Sequence, residues 1–151
     1  MRVLMLIAIV CLFQSSSCKR ESGECPASFF GKNDDRLTIV NNSSERIAYR
    51  MSDDYPRDSL VLNIFVPTEQ ETNANPADNV APNSTKRYIA NSCWESTFNN
   101  YIPSGKLRIL IFNIDSVKVY SPAEIINRGL YKSYLYTLDE LKANNWQVVY
   151  P

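Results

Sequence analysis

Histidine is absent from all 151 residues, and only four glycines and four cysteines are present. Without histidine the chain lacks the commonest general base and the commonest zinc ligand. The glycines are scattered, so none builds a glycine-rich phosphate loop. Charge of one sign is missing too. The 16 Lys and Arg stand against 16 Asp and Glu, which leaves no basic field to neutralise the phosphates of a nucleic acid. No apolar run approaches the roughly 20 residues that a helix needs to cross a bilayer.

The longest apolar run covers residues 3–13, behind Met1-Arg2 and ahead of Gln14-Ser15-Ser16-Ser17-Cys18 and the charged Lys19-Arg20-Glu21. A basic start, a short apolar stretch and small residues before a cut make the tripartite pattern of a signal peptide, here residues 1–17. Small residues directly ahead of a cysteine resemble the lipobox of bacterial lipoproteins, in which the cysteine thiol is diacylglycerylated, the signal is removed and the new N-terminus is acylated. The resemblance implies a mature protein that begins at Cys18 and reaches a membrane through lipid on that residue. Ser15 departs from the pattern, which has an aliphatic residue there. Two or more acyl chains hold a protein on a bilayer where one is marginal. The competing reading is a secreted protein cut near Ser17, with Cys18 a plain thiol. Arg2 is the only charged residue of the signal, so the remainder carries 15 basic and 16 acidic residues, a net charge of −1.

With Cys11 in the signal and Cys18 assigned to lipid, Cys25 and Cys93 remain. Exported chains meet an oxidising compartment, where such a pair tends to close as a disulfide. A loop of about 69 residues would be closed, contributing roughly 4 kcal/mol by the chain-entropy model. Two buried free thiols are the alternative. A reactive Cys93 is a third reading, with no histidine at hand to activate it.

Residues 18–36 are charged and small and read as a lipidated tether, and residues 37–151 as a single β-rich domain. Leu37-Thr38-Ile39-Val40 and Arg46-Ile47-Ala48-Tyr49-Arg50-Met51 flank the polar Asn41-Asn42-Ser43-Ser44-Glu45, the pattern of a β-hairpin. Residues 60–66 read as a buried strand, residues 67–84 as a long mobile surface loop, and residues 85–89 as another strand. Residues 92–101 form a turn or short helix. Lys106-Leu107-Arg108-Ile109-Leu110-Ile111-Phe112-Asn113-Ile114 is apolar on both faces towards its end, which predicts a central strand. Ser121-Pro122-Ala123-Glu124 and Thr137-Leu138-Asp139-Glu140 each start a short helix with a capping box, and Gly129 and Asn144-Asn145 stop them. Residues 131–136 and 146–150 complete about seven strands. The pattern predicts a mainly β fold, an antiparallel β-sandwich with two short helices near the C-terminus.

The segments Leu107 to Asn113 with Asp115, Tyr131 to Leu138, and the ending Leu138-Asp139-Glu140-Leu141-Lys142-Ala143-Asn144-Asn145-Trp146-Gln147-Val148-Val149-Tyr150-Pro151 resemble a family of small lipoproteins from Bacteroidales-type bacteria. Val40-Asn41-Asn42-Ser43 with Ile47 and Tyr49 fits as well, and the whole covers about half of the chain after Ser17. The resemblance implies a β-rich lipoprotein of the outer membrane, on either its periplasmic or its surface face, and no chemistry. It also implies O-glycosylation at Asp-Ser/Thr-apolar tripeptides. Asp58-Ser59-Leu60 and Asp115-Ser116-Val117 match that pattern, which makes Ser59 and Ser116 candidate modification sites where they lie on surface loops.

Paired carboxylates at Asp34-Asp35, Asp53-Asp54 and Asp139-Glu140 raise glycoside hydrolysis. Adjacent residues rarely converge on one substrate atom, and Asp139-Glu140 is already explained by helix capping. Calcium binding by Asp53, Asp54 and Asp58 lacks the EF-hand spacing and its glycine. No catalytic residue, metal or cofactor is therefore expected, and the chain reads as no enzyme. Nine Tyr and two Trp are the remaining feature. Strand periodicity puts Tyr134 and Tyr136 on one side, where exposed rings would stack on a sugar, while burial of the rings with Trp94 and Trp146 would make them core. Two functional classes follow: a non-catalytic, membrane-tethered interaction or structural module, and a small-ligand or glycan-binding lipoprotein.

Overall fold

Asn41 decides how the chain passes from one sheet to the other. The computed structural model describes residues 33–56, 66–74 and 78–151. Strand β1 (Thr38–Asn41) ends on this asparagine, and β2 (Ile47–Ser52) begins after five intervening residues. The two strands do not pair. The fully buried Asn41 side chain donates to the carbonyls of Glu45 at 2.8 Å and Ala81 at 2.9 Å, and its Oδ1 accepts from Ser43 Oγ at 2.7 Å. These bonds fold residues 42–46 into an arch between two sheets, so the expected hairpin is replaced by a crossing. A polar group buried with full partners gives a local connection that strand propensity does not foresee.

Seven strands and five short helices make up the described residues, a β-rich fold in two sheets. Beyond β1 and β2 come α1 (Glu69–Ala74), β3 (Asn79–Val80), β4 (Ser84–Arg87), α2 (Trp94–Tyr101) and β5 (Leu107–Asn113). Then follow α3 (Ile114–Val119), α4 (Pro122–Asn127), β6 (Tyr131–Tyr136), α5 (Leu138–Ala143) and β7 (Gln147–Tyr150). One sheet has the order β4-β1-β7, the other β3-β2-β5-β6. The four-stranded sheet is antiparallel throughout, but β1 and β7 run parallel, with Ile39 opposite Val148. The expectation of a wholly antiparallel fold is corrected at that pair.

β5 lies between β2 and β6 and is buried on both faces, as its unbroken apolar run predicts. Leu107, Ile109 and Ile111 point into a core shared with Leu37 just before β1, Ile39 of β1, Val148 of β7, and Trp94 and Phe98 of α2. Leu110 and Phe112 point the other way, into a smaller cluster with Val66, Val117 of α3 and Ile125 of α4. Each such side chain contributes about 1.5–3 kcal/mol by leaving water.

The two C-terminal helices start where their capping boxes predict. Ser121 Oγ accepts from Glu124 N, Thr137 Oγ1 accepts from Glu140 N, and both glutamates reach back to the capping backbone. Gly129 ends α4 at a φ of +63°, with Leu130 N bonded to the Ile125 carbonyl and Gly129 N to that of Ile126. Asn145 does the same after α5, and Trp146 behind it also has a positive φ of 60°. A bulky residue in this region carries strain. Its indole is buried, and its carbonyl accepts from Thr38 N at 2.8 Å to open the β1–β7 ladder.

Two helices were not expected. α1 and β3 fall within the stretch read as a loop, where Val80 is buried and Arg50 of β2 pairs with Asp78. α3 continues directly from β5: Asn113 accepts from Asp115 N through its side chain, and Ile114 and Val117, three apart, bury one face. Packing of that face overrides the β-branched composition. No helix among the described residues is long and apolar enough to cross a membrane.

Candidate functional site

Of the residues singled out in the sequence, Cys18, Cys25, Asp58 and Ser59 lie outside the described residues, as do the segment expected to be a signal peptide, most of the segment expected to be a tether and all but Val66 of the strand expected over residues 60–66. Cys93 and Ser116 are described. Cys93 stands at the N-cap of α2 in extended conformation, and its carbonyl accepts from Thr97 N at 2.9 Å. It is disulfide-bonded. The other cysteines, at positions 11, 18 and 25, lie outside the described residues. Ser116 lies in α3, half-buried, with its carbonyl accepting from Tyr120 N. The tripeptide around it is helical, with Val117 buried, and is not a surface loop.

Beside Cys93 is a charged cluster that no local pattern announced. Asp34 is only 1% exposed, and its backbone bridges to Ala90. Its carboxylate accepts from Arg36 Nη2 at 2.6 Å, Arg36 Nε at 3.0 Å and Trp94 N at 3.1 Å. The other edge of the Arg36 guanidinium donates to Glu95 at 2.6 and 3.1 Å, and Lys142 of α5 stands 3.5 Å from Glu95. Burial works to raise the Asp34 pKa, but the hydrogen bonds from Arg36 and the Trp94 backbone outweigh it and hold the group below its ordinary value. Glu95 follows the same pattern, burial opposed and overcome by Arg36. Asp34 and Arg36, at the end of the stretch read as a tether, are thus built into the domain. One Arg gripping two carboxylates in this way is a structural clamp.

Donor atoms of Asp34, Cys93 and Glu95 fall within 4.8 Å of one another, a spacing that a metal would accept. The donor set argues against it. Both carboxylates are already engaged by Arg36, and a disulfide sulfur has no thiolate to offer. For the same reason the 2.9 Å approach of Cys93 Sγ to Glu95 Oε2 is a contact and no hydrogen bond.

The other acidic pairs separate in space. Asp35 pairs with Arg87 at 3.3 Å on the surface, Asp54 accepts from Ser52 Oγ at 2.9 Å, and Glu140 is occupied in its capping box. None faces a second carboxylate across an open site among the described residues.

The aromatic rings divide into core and margin. Tyr49, Trp94 and Trp146 are buried. Tyr134 and Tyr136 do share a side of β6, with rings parallel to within 2° and centroids 6.4 Å apart, but they are half-buried against the main core. Burial raises the pKa of both hydroxyls, helped by Glu140 at Tyr136.

A cavity of about 310 Å³ opens where the end of β2, the start of β5 and α2 meet. Met51, Tyr88, Trp94 and Leu107 are among its apolar lining residues. Asp53, Asn91, Ser92 and Thr97 are its polar lining residues. Trp94 is 3% exposed, and its Nε1–H is buried with no acceptor among the described residues. An unpaired buried donor costs about 1–3 kcal/mol. The sequence leaves Trp94 between a core and an exposed ring and does not announce this cavity, because Met51, Asp53, Tyr88 and Leu107 come from distant stretches.

No family model, curated protein or solved structure matches the chain.

Proposed function

We propose that the chain is an exported lipoprotein, cut before Cys18 and held to a membrane by lipid on that residue, whose β-rich domain is a non-catalytic interaction module. The observation that carries this reading is the disulfide at Cys93. Structural disulfides belong to oxidising compartments, which is where a signal peptide over residues 1–17 would deliver the domain. Cys11 leaves with the signal and Cys18 is taken by lipid, so Cys25 is the partner in this reading. The bridge then fastens the chain seven residues beyond the anchor to the N-cap of α2, and the domain sits close to the bilayer on a short leash.

The domain itself is read as a sandwich of the two sheets, since one apolar core draws on both. Asp34, Arg36, Glu95, Glu124 and Glu140 are occupied in clamps and helix caps, which supports recognition over chemistry. The resemblance of the C-terminal third to small Bacteroidales-type lipoproteins fits the same account and would place the module at the outer membrane. The test is the intact mass of the mature protein from membranes. The proposal expects a chain beginning at Cys18 with diacylglycerol and a further acyl group. An unmodified chain cut elsewhere contradicts it.

A further inference from the structure

We draw no further inference here: the strongest candidate, the uncharged outer edge of β7 where Val149 is exposed, carries nothing because nothing among the described residues shows what covers it.

Discussion

The guanidinium of Arg36 lies 4.1 Å from the centre of the Trp146 ring, with Asp34 and Glu95 gripping its two edges. Four parts of the chain meet in this contact: the stretch before β1, the N-terminal turn of α2, the end of α5 and the start of β7. Trp146 accepts a strained backbone to reach it. Arg36 therefore joins the first described residues to the last helix and strand, and Asp34 depends on it to remain ionised while buried.

Removing that cation should be costly. Arg36→Ala leaves the Asp34 carboxylate buried without its counter-charge, and breaking a buried pair from one side typically costs about 3–5 kcal/mol. Urea unfolding should show a loss near the lower figure, because the Arg36 side chain is partly exposed. Asp34→Asn, which keeps the shape and removes the charge, should lose less.

The same cluster sets the acid limit. Asp34 and Glu95 both have folded pKa values held below their ordinary values of 3.8 and 4.5. Groups shifted in this direction contribute stability that is fully present above the unfolded pKa and is lost as the pH falls through the folded one. Denaturant midpoints should stay level from neutrality down to about pH 5 and decline below about pH 4. The decline should be shallower in Asp34→Asn. An equally steep fall in that variant would remove Asp34 from the account.

Asn41 offers a separate test of the arch. Asn41→Ala removes the bonds to the carbonyls of Glu45, Val80 and Ala81, and since Ser43 Oγ and Ser84 Oγ still donate to the first and the last, the cost is about 0.5–1.5 kcal/mol for each hydrogen bond lost. A measured loss below about 0.5 kcal/mol, the range of ordinary surface changes, would mean that the arch is held by other contacts.

How much of this was legible in the sequence depends on the distance over which each signal acts. The caps at Ser121 and Thr137 were legible because each is written within four residues, and β5 because burial on both faces leaves an unbroken apolar run. The hairpin over residues 37–51 was misread because the bonds of Asn41 to Val80 and Ala81 cross about 40 residues. α3 was hidden by its β-branched residues, since only the packing of Ile114 and Val117 makes it helical. Arg36 and Glu95 are 59 residues apart, and two charged residues at such a distance carry no pattern that identifies them as partners. The cavity beside Trp94 was invisible for the same reason.

The bridge at Cys93 makes a chemical prediction. Non-reducing peptide mapping of the mature protein should recover the Cys93 peptide joined to that of Cys25. Cys25→Ser and Cys93→Ser should then lower stability equally, by roughly 4 kcal/mol for a closed loop of about 69 residues, and the double variant by no more. A Cys93 peptide joined to Cys18 would contradict both the pairing and the lipid.

The most direct test is detergent phase partition of the full chain expressed in a bacterium that lipidates its exported proteins. The wild-type protein should enter the detergent phase through its acyl chains, and Cys18→Ser should move to the aqueous phase while keeping its fold. A Cys18→Ser variant that partitions into detergent as the wild type does would contradict the anchor.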